Sequence, residues 1–196
     1  VTNISKIEIF TDGATSKVSA TENIFTGAFA YAIVFKREDN TIFSKIINSA
    51  GHKDTTINQM ELSPVIEALN EITEIGLFKP IRIVSDSEYF VKGMNEYLAN
   101  WKKNGWKLYN KKPVKNMALW KEVDQLVESL RTKTEVKIEH IRAHSRTLET
   151  FEQKMNDIVD KLAVRHKELL IEGKSIVDNK YIEIQMLMDT NPEFYK

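Results

Sequence analysis

The sequence predicts an α/β fold in which one five-stranded mixed sheet carries helices packed on it. Three observations predict it. The first quarter of the chain holds three strand-length segments of alternating or β-branched residues, joined by polar links. Beyond them, segments with apolar residues at three- and four-residue steps alternate with two short apolar runs. The composition, 42% apolar and 29% charged over 196 residues, is that of one globular domain of ordinary size.

Residues 6–11 form a strand, with Ile7 and Ile9 alternating against Lys6 and Glu8, and it ends at the turn signal Asp12-Gly13. Residues 14–27 are polar and loop-like. Two more strands, 28–35 and 41–47, flank a hairpin turn at Glu38-Asp39-Asn40, so the first three strands make an antiparallel meander. Residues 58–75 are helical: Leu62, Val65, Ile66, Leu69 and Ile72 share a face, Asn58 is the N-cap, and Gly76 and Pro80 end it. A short apolar strand, 81–85, places Asp86 at its carboxyl end, and a helix follows over 87–97. Gly105 and Pro113 break the next segment. Residues 116–130 are an amphipathic helix with Leu119, Val123, Leu126, Val127 and Leu130 on one face. A fifth strand at 136–141, a polar loop around His144 and a long helix over 151–172 complete the order β-β-β-α-β-α-α-β-α. Residues 1–172 read as one domain and 173–196 as a C-terminal extension without an assigned role, in which 181–188 fit a strand or a short helix.

Cysteine is absent, so any metal must be held by oxygen or histidine. No apolar run is long enough to span a membrane, and residues 1–6 lack the apolar stretch of a secretory leader. The expected location is the cytoplasm, or a host cytosol if the chain is viral. Net charge is zero, which argues against a nucleic-acid partner until the distribution is considered. Between Trp101 and Lys121 there are seven lysines and no acid: Lys102, Lys103, Lys107, Lys111, Lys112, Lys115 and Lys121. Such a run is a solvated loop or a phosphate-binding patch.

Asp12 and Asp86 stand at strand ends, Glu61 in the first turn of the first long helix, and Asp157 and Asp160 three apart on the last one. Gathered in one place, such carboxylates repel one another unless a hard divalent cation joins them. Helical spacing alone leaves Asp157 and Asp160 as alternatives.

The local contexts sharpen this. Thr11-Asp12-Gly13, Gln59-Met60-Glu61-Leu62 and Ser85-Asp86-Ser87-Glu88-Tyr89 resemble, in order, the three acidic motifs of type 1 ribonuclease H. Asn100-Trp101-Lys102-Lys103-Asn104-Gly105-Trp106-Lys107 and Lys111-Lys112-Pro113-Val114-Lys115-Asn116 resemble the basic protrusion of its bacterial members. Arg142-Ala143-His144 and Asp160-Lys161-Leu162-Ala163 continue the likeness, which covers about residues 6–165.

The resemblance implies a ribonuclease H-like fold and hydrolysis of the RNA strand of an RNA–DNA hybrid, leaving 5′-phosphate and 3′-hydroxyl ends. It implies Asp12, Glu61, Asp86 and Asp160 as ligands of two Mg²⁺ ions, with Mn²⁺ as a substitute, and it selects Asp160 over Asp157. His144 is implied as a mobile auxiliary to the proton step or product release. Trp101, Trp106 and Lys102, Lys103, Lys107, Lys111, Lys112 and Lys115 would meet the DNA strand, unless the tryptophans only pack the protrusion. Gly13, Thr56, Asn58, Gln59 and Asn116 match polar substrate-contacting positions, and groups near Gly13, Asn58 and Gln59 would read the 2′-hydroxyl. A monomer is expected. A same-fold nuclease for duplex RNA or DNA junctions, and a non-catalytic hybrid-binding module, are the competing readings. The basic protrusion argues against the first and the intact acids against the second. The pattern breaks after Gly13, where the family's Gly-rich stretch is missing, at Glu88, where a glutamine is frequent, and in the longer segment from His144 to Asp160.

Overall fold

The computed structural model describes residues 3–19, 24–142 and 150–174. Five strands form one sheet: β1 (Ile4–Lys17), β2 (Phe25–Arg37), β3 (Ile42–Lys53), β4 (Ile81–Ser85) and β5 (Val136–His140). Their spatial order is β3-β2-β1-β4-β5. β1 and β2, and β2 and β3, are antiparallel, while β1 and β4, and β4 and β5, are parallel. The helices are α1 (Ile57–Ile75), α2 (Glu88–Lys92), α3 (Leu98–Lys103), α4 (Met117–Arg131) and α5 (Phe151–Ile171), with a π turn over Gly93–Tyr97 joining α2 to α3.

The period-two alternation of the central strands builds two cores. Ile7 and Ile9 of β1 and Phe29, Tyr31, Ile33 and Phe35 of β2 pack with α1 and α4. Phe10 and Ala14, with Ala30, Ala32 and Val34, pack with Met155, Val159 and Leu162 of α5. The alanines of β2 let α5 approach closely, while the bulkier face supports two helices.

β2 and β3 run longer than the expected 28–35 and 41–47, pairing with each other from Thr26–Lys53 onward, and three other boundaries differ for a physical reason. β1 does not stop at Thr11: it runs through Asp12-Gly13 to Lys17, and residues 14–17 pair with 25–28 of β2. Continuous antiparallel pairing with β2, in which Asp12 faces Ala30 and Gly13 faces Phe29, outweighs the local turn preference of Asp-Gly. α1 is capped by Thr56, not Asn58, through a capping box in which the Thr56 hydroxyl accepts from Gln59 N and the Gln59 side chain accepts from Thr56 N. Glu61 therefore lies past the first turn. The helix begun after β4 continues through the π turn to Lys103, so Trp101, Lys102 and Lys103 are helical. Gly93 opens that turn against Trp120, where an added Cβ would sit 2.1 Å from the indole. The segment 181–188 lies outside the described residues.

A charged network ties the sheet to the start of α5. Glu8 is 2% exposed and lies 2.6 Å from Lys36 and 3.5 Å from Arg82. Arg82 also reaches Glu139 of β5 at 2.7 Å and Glu152 of α5 at 3.0 Å, and Lys36 sits 4.0 Å from the centre of the Phe151 ring. Buried charges of this kind are tolerable only while paired. Glu8→Gln is expected to cost about 3 kcal/mol, because it leaves Lys36 buried without its carboxylate. Equilibrium denaturation measures this, and a loss below about 1 kcal/mol, as for an exposed pair, would refute it.

Candidate active site

Asp12, Glu61 and Asp86 converge from β1, α1 and the end of β4. One carboxylate oxygen of each lies within 4.8 Å of the others. Gly13 permits the approach: a Cβ there would meet the Met60 carbonyl carbon and oxygen at 2.6 Å, so β1 passes α1 closer than any side chain allows. Its N–H also donates to Asp12 Oδ1 across 2.6 Å. Ser87 caps α2 by accepting from Phe90 N, which fixes the backbone just after Asp86.

Asp160 approaches Asp12 from α5, near enough for its carboxyl group to oppose the ionisation of Asp12. Asp157 instead pairs with Lys161 at 2.6 Å.

Burial first, then the negative charges of Asp86 and Asp160, push the Asp12 carboxyl up to about 8. Burial, then Asp12 and Asp86, push Glu61 up to about 9, with the Ser87 hydroxyl pulling the other way. One oxygen of Glu61 is sealed from solvent and meets no hydrogen-bond partner among the described residues. An all-oxygen, mutually repelling set with an orphaned carboxylate oxygen fits a hard divalent cation, and the cluster is a divalent-metal site.

His144 lies outside the described residues. His140 is nearby instead, with Nε2 3.2 Å from the Asp86 carbonyl oxygen, a hydrogen bond when that nitrogen is protonated.

The basic segment stands on an aromatic footing. Trp101 lies 5.3 Å from Trp120 and 5.9 Å from Tyr97, and both Trp101 and Trp106 are half-buried against the main core. Lys102 is paired with Asp124 at 2.8 Å. Lys103, Lys107, Lys111, Lys112 and Lys115 are exposed and unpaired among the described residues. The Tyr89 hydroxyl, three residues past Asp86, accepts from Trp120 Nε1 at 2.9 Å and Asn116 Nδ2 at 3.2 Å. The protrusion is thus tied to the helix that follows an acidic ligand candidate. Asn58 is half-buried near the start of α1, while Thr56 and Gln59 form its cap.

A model of the RNase H family matches residues 5–168. The chain belongs to the RNase H family. It is 34% identical over 178 residues to the Ribonuclease HI of Haemophilus influenzae, covering 91% of this chain and 97% of that one. It is 40% identical over 136 residues to the Ribonuclease H of Treponema denticola, covering 64% and 80%. The fold is similar to the crystal structure of LC9-RNase H1, described as a type 1 RNase H with the type 2 active-site motif. That likeness has a TM-score of 0.69 at 24% identity and covers 84% of this chain and 73% of that one. The solution structure of the PFV RNase H domain is similar at a TM-score of 0.67 and 22% identity, covering 83% and 94%. At such identities these two likenesses concern the fold.

One residue at the site of this RNase H carries no expectation from sequence. Asn156 Nδ2 donates to Asp86 Oδ2 at 3.1 Å. Its spacing four residues before Asp160 is the available signal, since it places both on one helix face.

The raised carboxyls give a pH prediction for the metal-free protein. The folded state keeps protons on Asp12 and Glu61 that the unfolded chain releases above its ordinary carboxyl range. Their contribution is full below about pH 4 and is lost as pH rises through 8 and 9. Tm in EDTA is therefore expected to fall across the neutral to alkaline range, and Mg²⁺ to reverse the fall. Thermal melts at several pH values check this; a Tm rising over that range in EDTA would contradict it.

Proposed function

We propose that the chain is an endonuclease that hydrolyses the RNA strand of RNA–DNA hybrids at the acidic cluster, leaving 5′-phosphate and 3′-hydroxyl ends. The convergence of Asp12, Glu61 and Asp86 within 4.8 Å carries this reading. Asp12, Glu61, Asp86 and Asp160 would hold two Mg²⁺ ions, with Mn²⁺ as a substitute. Bound divalent ions supply Lewis acidity, activating water and neutralising charge that develops on the phosphodiester. The carboxylates act as ligands and are not an acid–base pair. His144 supplies the mobile proton carrier near neutral pH.

The duplex lies with its DNA strand on the protrusion. Lys103, Lys107, Lys111, Lys112 and Lys115 offer phosphate contacts, while Lys102 must exchange Asp124 for a phosphate. Trp101 and Trp106 hold these lysines in place and present their exposed portions to the sugars. Asn116 sits where the protrusion returns to the domain, held by Tyr89. Gly13, Asn58 and Gln59, with Thr56, lie around the start of α1 beside Glu61 and read the RNA strand and its 2′-hydroxyl. The domain spans residues 1–172 and acts as a monomer in the cytoplasm, with 173–196 as an extension. Among the described residues no helix is long and apolar enough to cross a membrane.

The deciding experiment is cleavage of a labelled hybrid beside duplex DNA and duplex RNA, with Mg²⁺, Mn²⁺ or EDTA. Only the RNA of the hybrid should be cut, and only with metal. Asp86→Asn should abolish cleavage while hybrid binding survives; near-wild-type turnover in that variant would overturn the ligand set. Alanine at Lys103, Lys107, Lys111 and Lys112 should raise KM and lower the salt dependence of binding, by about one unit of slope for each phosphate that is no longer neutralised. An unchanged slope would remove the protrusion from the interface.

A further inference from the structure

Asn156 lies on α5 one turn before Asp160, so both side chains leave the same face of the helix. It is 6% exposed. Its Nδ2 donates to Asp86 Oδ2 at 3.1 Å, while its Oδ1 is sealed from solvent and has no hydrogen-bond partner among the described residues. Its neighbours on the helix, Met155, Ile158, Val159 and Leu162, belong to an apolar core. A half-satisfied amide there is unfavourable next to an aliphatic side chain of similar size. What it gains is the contact with Asp86.

We propose that Asn156 is a positioning residue for Asp86: its amide fixes one carboxylate oxygen and leaves the other turned to the divalent cations of the cluster. The inference rests on the cation-binding reading given above. Like charges drive carboxylates apart, so a cluster of four needs something to hold each side chain in place. A neutral donor does so without competing with the cation for charge, as a lysine or arginine would. The geometry also couples two ligand candidates. From one helix face, Asn156 reaches Asp86 at the end of β4 and Asp160 reaches Asp12 of β1. The spacing of four residues along α5 thereby sets where the helix lies against both strands.

The test is a substitution cycle on the full chain, read by calorimetric Mg²⁺ titration and by Tm in EDTA. Asn156→Leu is expected to change Tm little, because the orphaned Oδ1 is lost together with the Nδ2 bond to Asp86, yet to weaken Mg²⁺ binding about tenfold or more. Asn156→Ala repeats the comparison with spare room, in case leucine does not fit. Asp86→Asn should weaken Mg²⁺ binding by itself, and adding Asn156→Leu to it should bring no further loss, because the amide acts through that carboxylate. If both Asn156 variants bind Mg²⁺ as wild type does while Asp86→Asn does not, the positioning role is overturned and the metal reading stands. If Asp86→Asn also binds as wild type does, the metal reading itself is overturned. A full additional loss in the double variant would show that Asn156 acts elsewhere, which also overturns the proposal.

Discussion

Repulsion among Asp12, Glu61 and Asp86, each with an oxygen within 4.8 Å of the others, is the constraint around which the structure is arranged. Burial and like charge both oppose ionisation there, which is why Asp12 and Glu61 hold protons far above the ordinary carboxyl range. Isolated side chains would relieve this by swinging apart. They cannot, because each is set on a different rigid element. β1 is hydrogen-bonded on both sides, α1 is pressed onto it at Gly13, and Asp86 sits where β4 hands over to the Ser87 cap. Protons relieve the repulsion in the metal-free state, and a divalent cation takes their place by displacing them.

The rest of the molecule can be understood as what keeps those elements in register. α5 brings Asp160 to Asp12, and its first turn is held by Arg82 through Glu152. Arg82 also meets buried Glu8, which links β1, β2, β4 and β5 in one network. On the other side, Gly93 lets Trp120 close onto the helix that follows Asp86, and the Tyr89 hydroxyl gathers Trp120 and Asn116. The basic protrusion is thus anchored to the same short segment that carries the ligand candidate Asp86.

Much of this is legible in the chain. Strand alternation at Ile7 and Ile9, the helical face of α1 and the order of elements follow from periods of 2 and 3.6, which are local properties. The lysine-rich segment between Trp101 and Lys121 is legible because it is contiguous. The carboxylates are legible as motifs, because each has a recognisable neighbourhood. The misleading signals are local too. Asp12-Gly13 signals a turn by itself, and only pairing with Ala30 and Phe29 makes it mid-strand. Asn58 is a good N-cap by type, but the reciprocal bonds of Thr56 and Gln59 place the start earlier. The helix after Asp86 runs past Tyr97 because a π turn absorbs the packing of Trp120, an event with no sequence period.

The kinds of element, their order, the family and the acids available are therefore written along the chain, because they rest on residue type and on adjacent residues. Packing in three dimensions settles the rest. Asp160 and not Asp157 meets Asp12, although both satisfy the same helical spacing, and the seating of α5 is what distinguishes them. The same packing sets the charge state of Asp12 and Glu61 and draws Asn156 to Asp86. Desolvation and Coulomb repulsion depend on distances through space between residues up to 148 positions apart, from Asp12 to Asp160, and no pattern along the chain encodes those distances.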